Sequence, residues 1–353
     1  MQFAGQAKPP VGIIFDCDMG NSIDAALALA LLYGLDGKNE ARVVSISVSK
    51  SNLKSAAYCE AFGRFYAGAV SGAFNSAGRT LPVGMAIHGK DQRDTPMLTV
   101  PLAKVNAKGD PVYAHGIHKL NDTAEVAALI RNAFTAQHDE NALVVLAGPA
   151  TNLAQVLDLP GAKELIAKKV RLLAVAAGAY PAGKPEPHIQ ADIAAAKKVF
   201  AEWPTPIVAS GYEVGEALRY PASSIEKDFG WTEDHPVVDA YRAYKPMPYD
   251  APTWDMSPVL YAIRTKEEYF QLSAPGTITV NDDASTRFSE SAGGKHRYLI
   301  VDPAQRERII KAYVELVSAR PVPKQPRIRP PKKDEKPEVK PAEVKPEDPK
   351  VVK

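Results

Sequence analysis

From residue 11 onward, short runs of wholly apolar side chains alternate with stretches of strong helix formers, a pattern that restricts the chain to a layered α/β structure. Residues 11–15 (VGIIF) contain no polar side chain, as a strand buried on both faces requires. Residues 24–33 (DAALALALLY) predict a helix, with an acid at its start where the helix dipole favours negative charge. Residues 41–48 read as the next strand and 53–66 as the next helix. The alternation continues with helices over 123–136, 150–157, 191–202 and 253–263, and strands over 142–147, 170–177 and 206–210. Strands separated by helices of this length imply right-handed crossovers and an open, mostly parallel sheet flanked by helices, of Rossmann-like type. The ligand site of such a sheet lies beyond the carboxyl ends of its strands. The stretches 76–122 and 212–252, rich in Pro, Gly and Tyr, are expected as insertions or lid-like loops near that edge.

The ends of the chain differ in composition from this body. Residues 320–353 hold nine Pro, eleven Lys/Arg, six Asp/Glu and no aromatic residue. Such a segment cannot bury enough apolar surface to offset the entropy of ordering, so it is expected to be a disordered tail. With residues 1–10 as a flexible start, the folded domain is expected over 11–319. The tail also explains the net charge of +2, because residues 1–319 keep 32 of the 43 basic and 35 of the 41 acidic side chains. A slightly acidic body argues against a nucleic-acid partner. Two cysteines, Cys17 and Cys59, make neither a disulfide scaffold nor a zinc cluster and read as small buried apolar side chains. No apolar run approaches the about 18 residues of a membrane span. The start, MQFAGQAKPP, lacks the charged and apolar regions of a signal peptide, so a cytoplasmic location is expected, with a mis-started secreted precursor as the alternative.

The strongest chemical signal is Asp16-Cys17-Asp18-Met19-Gly20-Asn21-Ser22-Ile23-Asp24, between the first strand and the first helix. Turn and capping chemistry accounts for Gly20 and Asp24 but not for Asp16 and Asp18 together. Carboxylates held this close repel one another, and a hard cation or substrate hydroxyls would hold them together.

This loop resembles the DxDPGxDDA signature of the inosine/uridine-preferring nucleoside hydrolases, in particular a longer-loop subgroup reading DTDMGNDxDDALAL. Residues 148–154 (GPATNLA) resemble that family's GPLTNLA turn, and 186–192 (EPHIQAD) its E(F/Y)N…D segment. Residues 253–258 (TWDMSP) resemble the (H/W)D segment that opens a helix. The matches run in order across residues 11–305. The resemblance implies a calcium-dependent hydrolase of the N-glycosidic bond of a ribonucleoside, with homo-oligomers among its relatives. By motif position, Asp18 would be a calcium ligand and the base that activates water, Asp255 a second carboxylate ligand, and Thr151 a ligand through its carbonyl. Asp24, Asn52, Glu186 and His188 would contact the ribose, and Asp16 would orient the loop. A hard cation suits oxygen ligands, lowers the pKa of water and grips a diol, and the attack would fall on an oxocarbenium-like carbon.

Three positions depart from the pattern. Ala25 stands where the family has a second Asp, a metal ligand, Ser22 where the subgroup has another Asp, and His188 where the family has Asn. Fewer carboxylates and an imidazole weaken a calcium site. The protein then binds the metal loosely, recruits another oxygen, or has lost hydrolysis and kept a nucleoside or sugar pocket.

An apolar strand followed by DxD also opens the haloacid-dehalogenase-like phosphatases, where Asp16 would be nucleophile, Asp18 acid/base, and Asp282 and Asp283 magnesium ligands. Gly20 stands where that family wants Thr or Val, and the motifs at 148–154 and 253–258 go unexplained. Residues 84–90 (GMAIHGK) nearly spell a phosphate-binding loop, but Asp91 follows and no helix-like run does. A departing purine needs a proton donor, for which His88, His115, His118 and His188 are the loop candidates. Trp231, Tyr244, Tyr249 and Trp254 are candidates for stacking on a base.

Overall fold

The structure, a computed structural model, describes residues 10–68 and 81–322. The expected flexible start, apart from residue 10, and the tail from residue 323 onward lie outside the described residues. The first half runs β1 (Val11–Cys17), α1 (Ile23–Gly37), β2 (Ala41–Val48), α2 (Leu53–Gly68), β3 (Val83–Met85), α3 (Pro96–Ala103), β4 (Ala124–Glu125) and α4 (Val126–Thr135). Then come β5 (Ala142–Ala147), α5 (Thr151–Leu157), α6 (Ala162–Lys169), β6 (Val170–Ala176), α7 (Pro187–Ala191), α8 (Ile193–Glu202) and β7 (Ile207–Ser210). Helices α9 (Tyr212–Ala217), α10 (Ala222–Lys227) and α11 (Pro236–Tyr244) follow, with β8 (Arg219–Tyr220) and β9 (Ala251–Pro252) forming a small separate ribbon. The last elements are α12 (Met256–Ile263), β10 (Gln271–Leu272), β11 (Gly276–Val280), β12 (Thr286–Glu290), β13 (His296–Ile300) and α13 (Arg306–Val317).

The main sheet has the order β12-β11-β13-β7-β6-β5-β1-β2-β3-β4 and is parallel from β13 to β4. The expected α/β architecture is therefore present. Its antiparallel edge was not foreseen: β11 and β12 form a hairpin, Gly276 opposite Glu290 and Val280 opposite Thr286. Strand β11 alternates buried and exposed residues, so only one of its faces needs cover. Central β5 is buried at every position, which is what its apolar run ALVVLA demands.

Helix α1 is buried almost all round, from Ile23 to Leu32 without interruption. It packs beside β2 and against α12 and α13. The α13 contact is close: a Cβ at Gly34 would lie 2.1 Å from the Leu316 carbonyl oxygen, so only glycine fits there. Among the described residues, no helix is long and apolar enough to cross a membrane.

The stretch 212–252, expected to be loop, instead builds three short helices over an aromatic cluster. Pro236 takes the first helical position of α11, and the preceding His235 caps it by accepting the Val237 N–H at Nδ1 (3.2 Å). The His235 ring lies 4.9, 4.7 and 5.5 Å from those of Phe65, Phe229 and Trp231. Burial pulls its pKa down to about 3. The unfolded chain therefore takes up this proton before the folded one does. Stability is fully present above the ordinary histidine range and falls as pH drops from about 6.5 toward 3, by up to about 1.4 kcal/mol per pH unit. We expect His235→Asn, which keeps a cap acceptor, to flatten the urea-midpoint profile between pH 6.5 and 4; an unchanged slope would show that other groups set it.

Candidate active site

The central strands end at a cavity of about 820 Å³. Its lining includes Asp18 and Asn21 after β1, Lys50 after β2, Thr151 after β5, Glu186 and His188 after β6, and Tyr212 after β7. The position is the one expected for a parallel sheet.

Asp16 is wholly buried at the end of β1 and lies outside the lining. Its Oδ1 accepts hydrogen bonds from Ser47 Oγ (2.5 Å) on β2 and Asn152 Nδ2 (2.7 Å) on α5. The carboxylate thus ties three elements together, and burial, opposed by those two bonds, pushes its pKa up to about 7. Two glycines let the loop after it take its path. Gly20 has φ +105°, and a Cβ there would meet Leu98 Cδ1 at 2.5 Å. At Gly148, before α5, a Cβ would lie 2.7 Å from the Asp18 nitrogen.

Asp18 lines the cavity with one oxygen engaged and the other bare. Oδ2 accepts from Asn21 Nδ2 (2.8 Å) and lies 3.7 Å from His188 Nε2, while Oδ1 is buried without a hydrogen-bond partner. Asp24 and Asp255 meet beside it. The Asp255 N–H donates to Asp24 Oδ2, and Asp24 Oδ1 and both Asp255 carboxylate oxygens have no partner. Burial and then the charge of Asp255 hold Asp24 well above the carboxylate range, and burial raises Asp255 against the pull of His188. Ala25 is buried in the apolar core and does not line the cavity. Asp24, equally buried and also outside the lining, is tied to the acidic cluster by the Asp255 N–H.

Glu186 and His188 come together as the sequence pattern suggested. The Glu186 carboxylate caps α7, accepting from the N–H groups of His188 (3.1 Å) and Ile189 (3.2 Å). His188 Nδ1 donates to the Ala176 carbonyl (2.7 Å), which leaves Nε2 facing Asp18. Burial lowers the His188 pKa, but the charges of Glu186, Asp18 and Asp255 outweigh it and raise the group to about 10. The surrounding carboxylates thus favour the protonated ring over the neutral one. Thr151 lines the cavity and its hydroxyl donates to Asp192 (2.8 Å).

Other candidates fall elsewhere. Asn52 spends every polar valence on structure: Nδ2 donates to the Gln92 carbonyl (2.9 Å) and Asp94 (2.8 Å), and Oδ1 accepts from the N–H groups of Lys54 and Ser55. His88 is exposed, His115 lies tilted against His118, and none of the three lines the cavity. Trp231 packs on His235 and Tyr249 on Tyr241, whereas Tyr244 and Trp254 do line the cavity. Asp282 and Asp283 sit at the hairpin turn between β11 and β12, where Asp282 pairs with Lys197 and Asp283 holds Ser285. They do not reach Asp16 and Asp18, so the phosphatase reading is not favoured. Residues 84–90 start inside β3, which removes the phosphate-loop reading. Sequence reasoning missed Lys50, Asn21 and Tyr212. The signal for the first was a lysine directly after a buried strand at the functional edge.

A hard divalent cation fits the donors present. Four buried oxygens of Asp18, Asp24 and Asp255 lack a partner, and such orphans are costly unless a cation or a proton meets them. Among the described residues, no three His, Cys, Asp or Glu side chains are arranged as they stand to hold a metal ion. The fit therefore lies in the chemistry of the oxygens, with the ring of His188 beside the other oxygen of Asp18, Oδ2.

A family profile described as inosine-uridine preferring nucleoside hydrolase matches residues 13–313. Among solved structures, a plant nucleoside hydrolase, the PpNRh1 enzyme, is 19% identical with a TM-score of 0.63, covering 88% of this chain and 100% of its own. The purine-preferring ribonucleoside hydrolase from Gardnerella vaginalis is 16% identical with a TM-score of 0.62, covering 87% and 98%. The type III effector XopQ, solved with adenosine diphosphate ribose, is 14% identical with a TM-score of 0.60, covering 89% and 96%. At such identities the likeness speaks for the fold. Comparison with curated proteins finds no match.

The close approach at Gly148 predicts that Gly148→Ala pushes Asp18 off its hydrogen bonds. We expect a loss of about 1–3 kcal/mol, the usual range for overpacking, read as a lower denaturant midpoint. An unchanged midpoint would mean that the loop yields freely.

Proposed function

The chain belongs to the inosine-uridine preferring nucleoside hydrolase family, and from that premise we propose that its cavity takes a ribonucleoside and cleaves the N-glycosidic bond with water. The observation that carries this is the convergence of Asp18, Asp24 and Asp255, with their unpartnered oxygens, at the sheet edge beside an aromatic pair. Asp18 accepts the proton of the attacking water through its bare Oδ1, while Asn21 holds Oδ2. The rings of Tyr212 and Trp254 stack at 5.4 Å at the cavity wall and offer the base a platform. His188, with Nδ1 tied to Ala176, presents a charged donor to a ribose hydroxyl or to the departing base. Glu186, held by the α7 backbone, keeps that charge in place.

Asp18, Asp24, Asp255 and the Thr151 carbonyl would hold a calcium ion, which when bound supplies charge to grip the ribose diol and to acidify water. Assigning Asp24 to the ion, not to the ribose, restores the third carboxylate that Ala25 had removed from the motif. The family's Asn at position 188 is neutral, whereas the imidazolium here repels a cation. His188→Asn is expected to tighten calcium, with a lower dissociation constant by calorimetry; equal or weaker binding would count against charge competition. The remaining expectations, a cytoplasmic compartment and a homo-oligomer, belong to the same reading.

The primary test is incubation with mixed ribonucleosides, with calcium or EDTA, and chromatography of the free base. Release abolished by EDTA supports the reading, and Asp18→Asn should reduce it by about 10²- to 10⁴-fold, the weight of a general base. Absence of release under all metal conditions refutes turnover and leaves a pocket that only binds.

The acidic cluster also predicts a stability signature. Asp24 and Asp255 are held above the ordinary carboxylate range, so the unfolded chain gives up these protons first. The cation-free protein loses stability as pH rises from about 4 through the raised folded values. Asp255→Asn should raise the thermal midpoint in EDTA at pH 7.5 and erase the rise that calcium gives the native protein. A lower midpoint in EDTA would show that the charge is not a burden.

A further inference from the structure

We propose that Lys50 is a positioning residue that acts through Asn21 to decide which oxygen of Asp18 is free for the reaction. The proposal rests on the reading of Asp18 as the base. Lys50 follows β2 at the cavity edge and its side chain is 1% exposed, yet the ammonium is well partnered. Nζ donates to Asn21 Oδ1 (2.7 Å) and to the Arg93 carbonyl (3.2 Å), and lies 3.5 Å from Asp91 Oδ2. An ammonium has donors only, so it accepts the Asn21 amide in one orientation, with the oxygen toward Lys50. The amide nitrogen then points away and donates to Asp18 Oδ2 (2.8 Å). Turning the amide over would set NH₂ against NH₃⁺ and leave Asp18 facing a carbonyl, with two repulsions in place of two bonds.

The line Asp91–Lys50–Asn21–Asp18 therefore pins one carboxylate oxygen and leaves Oδ1 without a partner. It also joins two segments of the cavity wall. Lys50 holds the Arg93 carbonyl while Asn52, two residues on, holds the Gln92 carbonyl and Asp94. The loop that brings Lys90, Gln92 and Arg93 to the cavity is thus fixed by the same turn that orients the acid. Neither Lys50 nor Asn21 need touch the reacting atoms for this. Their effect lies in the orientation of Asp18, as for partners that orient metal ligands and catalytic groups in general.

The test is a double-mutant cycle. Lys50→Met and Asn21→Ala are each expected to lower kcat about 10- to 100-fold with KM within about threefold, the usual weight of an orienting partner. The double variant should be no worse than either single one. Losses that multiply overturn the proposal, because Lys50 would then act independently of Asn21. Lys50→Arg, which keeps a donor, should recover much of kcat. Should Lys50→Met fail to fold, Asn21→Ala decides: native kcat in that variant leaves Lys50 nothing to act through. A second readout separates this proposal from the proposed reaction. In protein labelled with ¹⁵N-asparagine and treated with EDTA, the Asn21 side-chain amide should exchange slowly, and faster in Lys50→Met. An unchanged exchange rate overturns the proposal whether or not any nucleoside is cleaved. Absent base release with the expected exchange behaviour leaves the orienting line intact and removes only the hydrolase.

Discussion

Four carboxylates, those of Asp16, Asp18, Asp24 and Asp255, are withdrawn from water at one end of a parallel sheet, and the local structure answers their repulsion one oxygen at a time. Asp16 spends an oxygen on Ser47 and Asn152 and so locks β1 to its neighbours. Asp18 is engaged by Asn21 and His188, and Asp24 by the backbone of Asp255. What remains is a group of bare oxygens with a cationic imidazole on one side. Such an arrangement is costly as a resting structure and useful as a binding site, because the same burial that raises the carboxyl groups strengthens whatever positive charge or polarised hydroxyl meets them.

Much of this was legible in the sequence, for identifiable reasons. Strands β1 and β5 are buried on both faces along nearly their whole length, so their runs carry no alternation to confuse the assignment. Asp18, Glu186, His188 and Asp255 follow strands or open helices, which is where a parallel sheet gathers its loops. Helix α11 was hidden because PVVDAYRAY is rich in β-branched and aromatic residues, and its start depends on a histidine cap that ordinary capping rules do not include. The hairpin edge was hidden because GTITV and TRFSE each bury one face only.

At the site itself the gaps have separate causes. Helix α1 is apolar nearly all round, so its pattern does not say which residue faces the sheet edge. Asp24 and Ala25 differ by about 100° on a helix, and the hydrogen bond from the Asp255 N–H places the first with the acids. Asn52 was read by its place after a strand, while its local hydrogen bonds to Lys54 and Ser55 show an Asx turn that any asparagine there could make. Lys50 is marked in the sequence only by its place after a buried strand; its importance lies in what an ammonium excludes from the amide beside it.

The contact between Gly34 and Leu316 has a consequence for how the molecule comes to be made. Helix α1 takes part of its cover from β2, α11 and α12, but its surface around Gly34 closes only when α13, far along the chain, crosses it. A contact of that sequence separation closes late and slowly. Until then one apolar strip of the helix stays open to water, a natural client for a holdase chaperone. Loss of α13 alone would leave that strip bare, so chains truncated before it are expected to aggregate and be degraded, not to persist as partial domains.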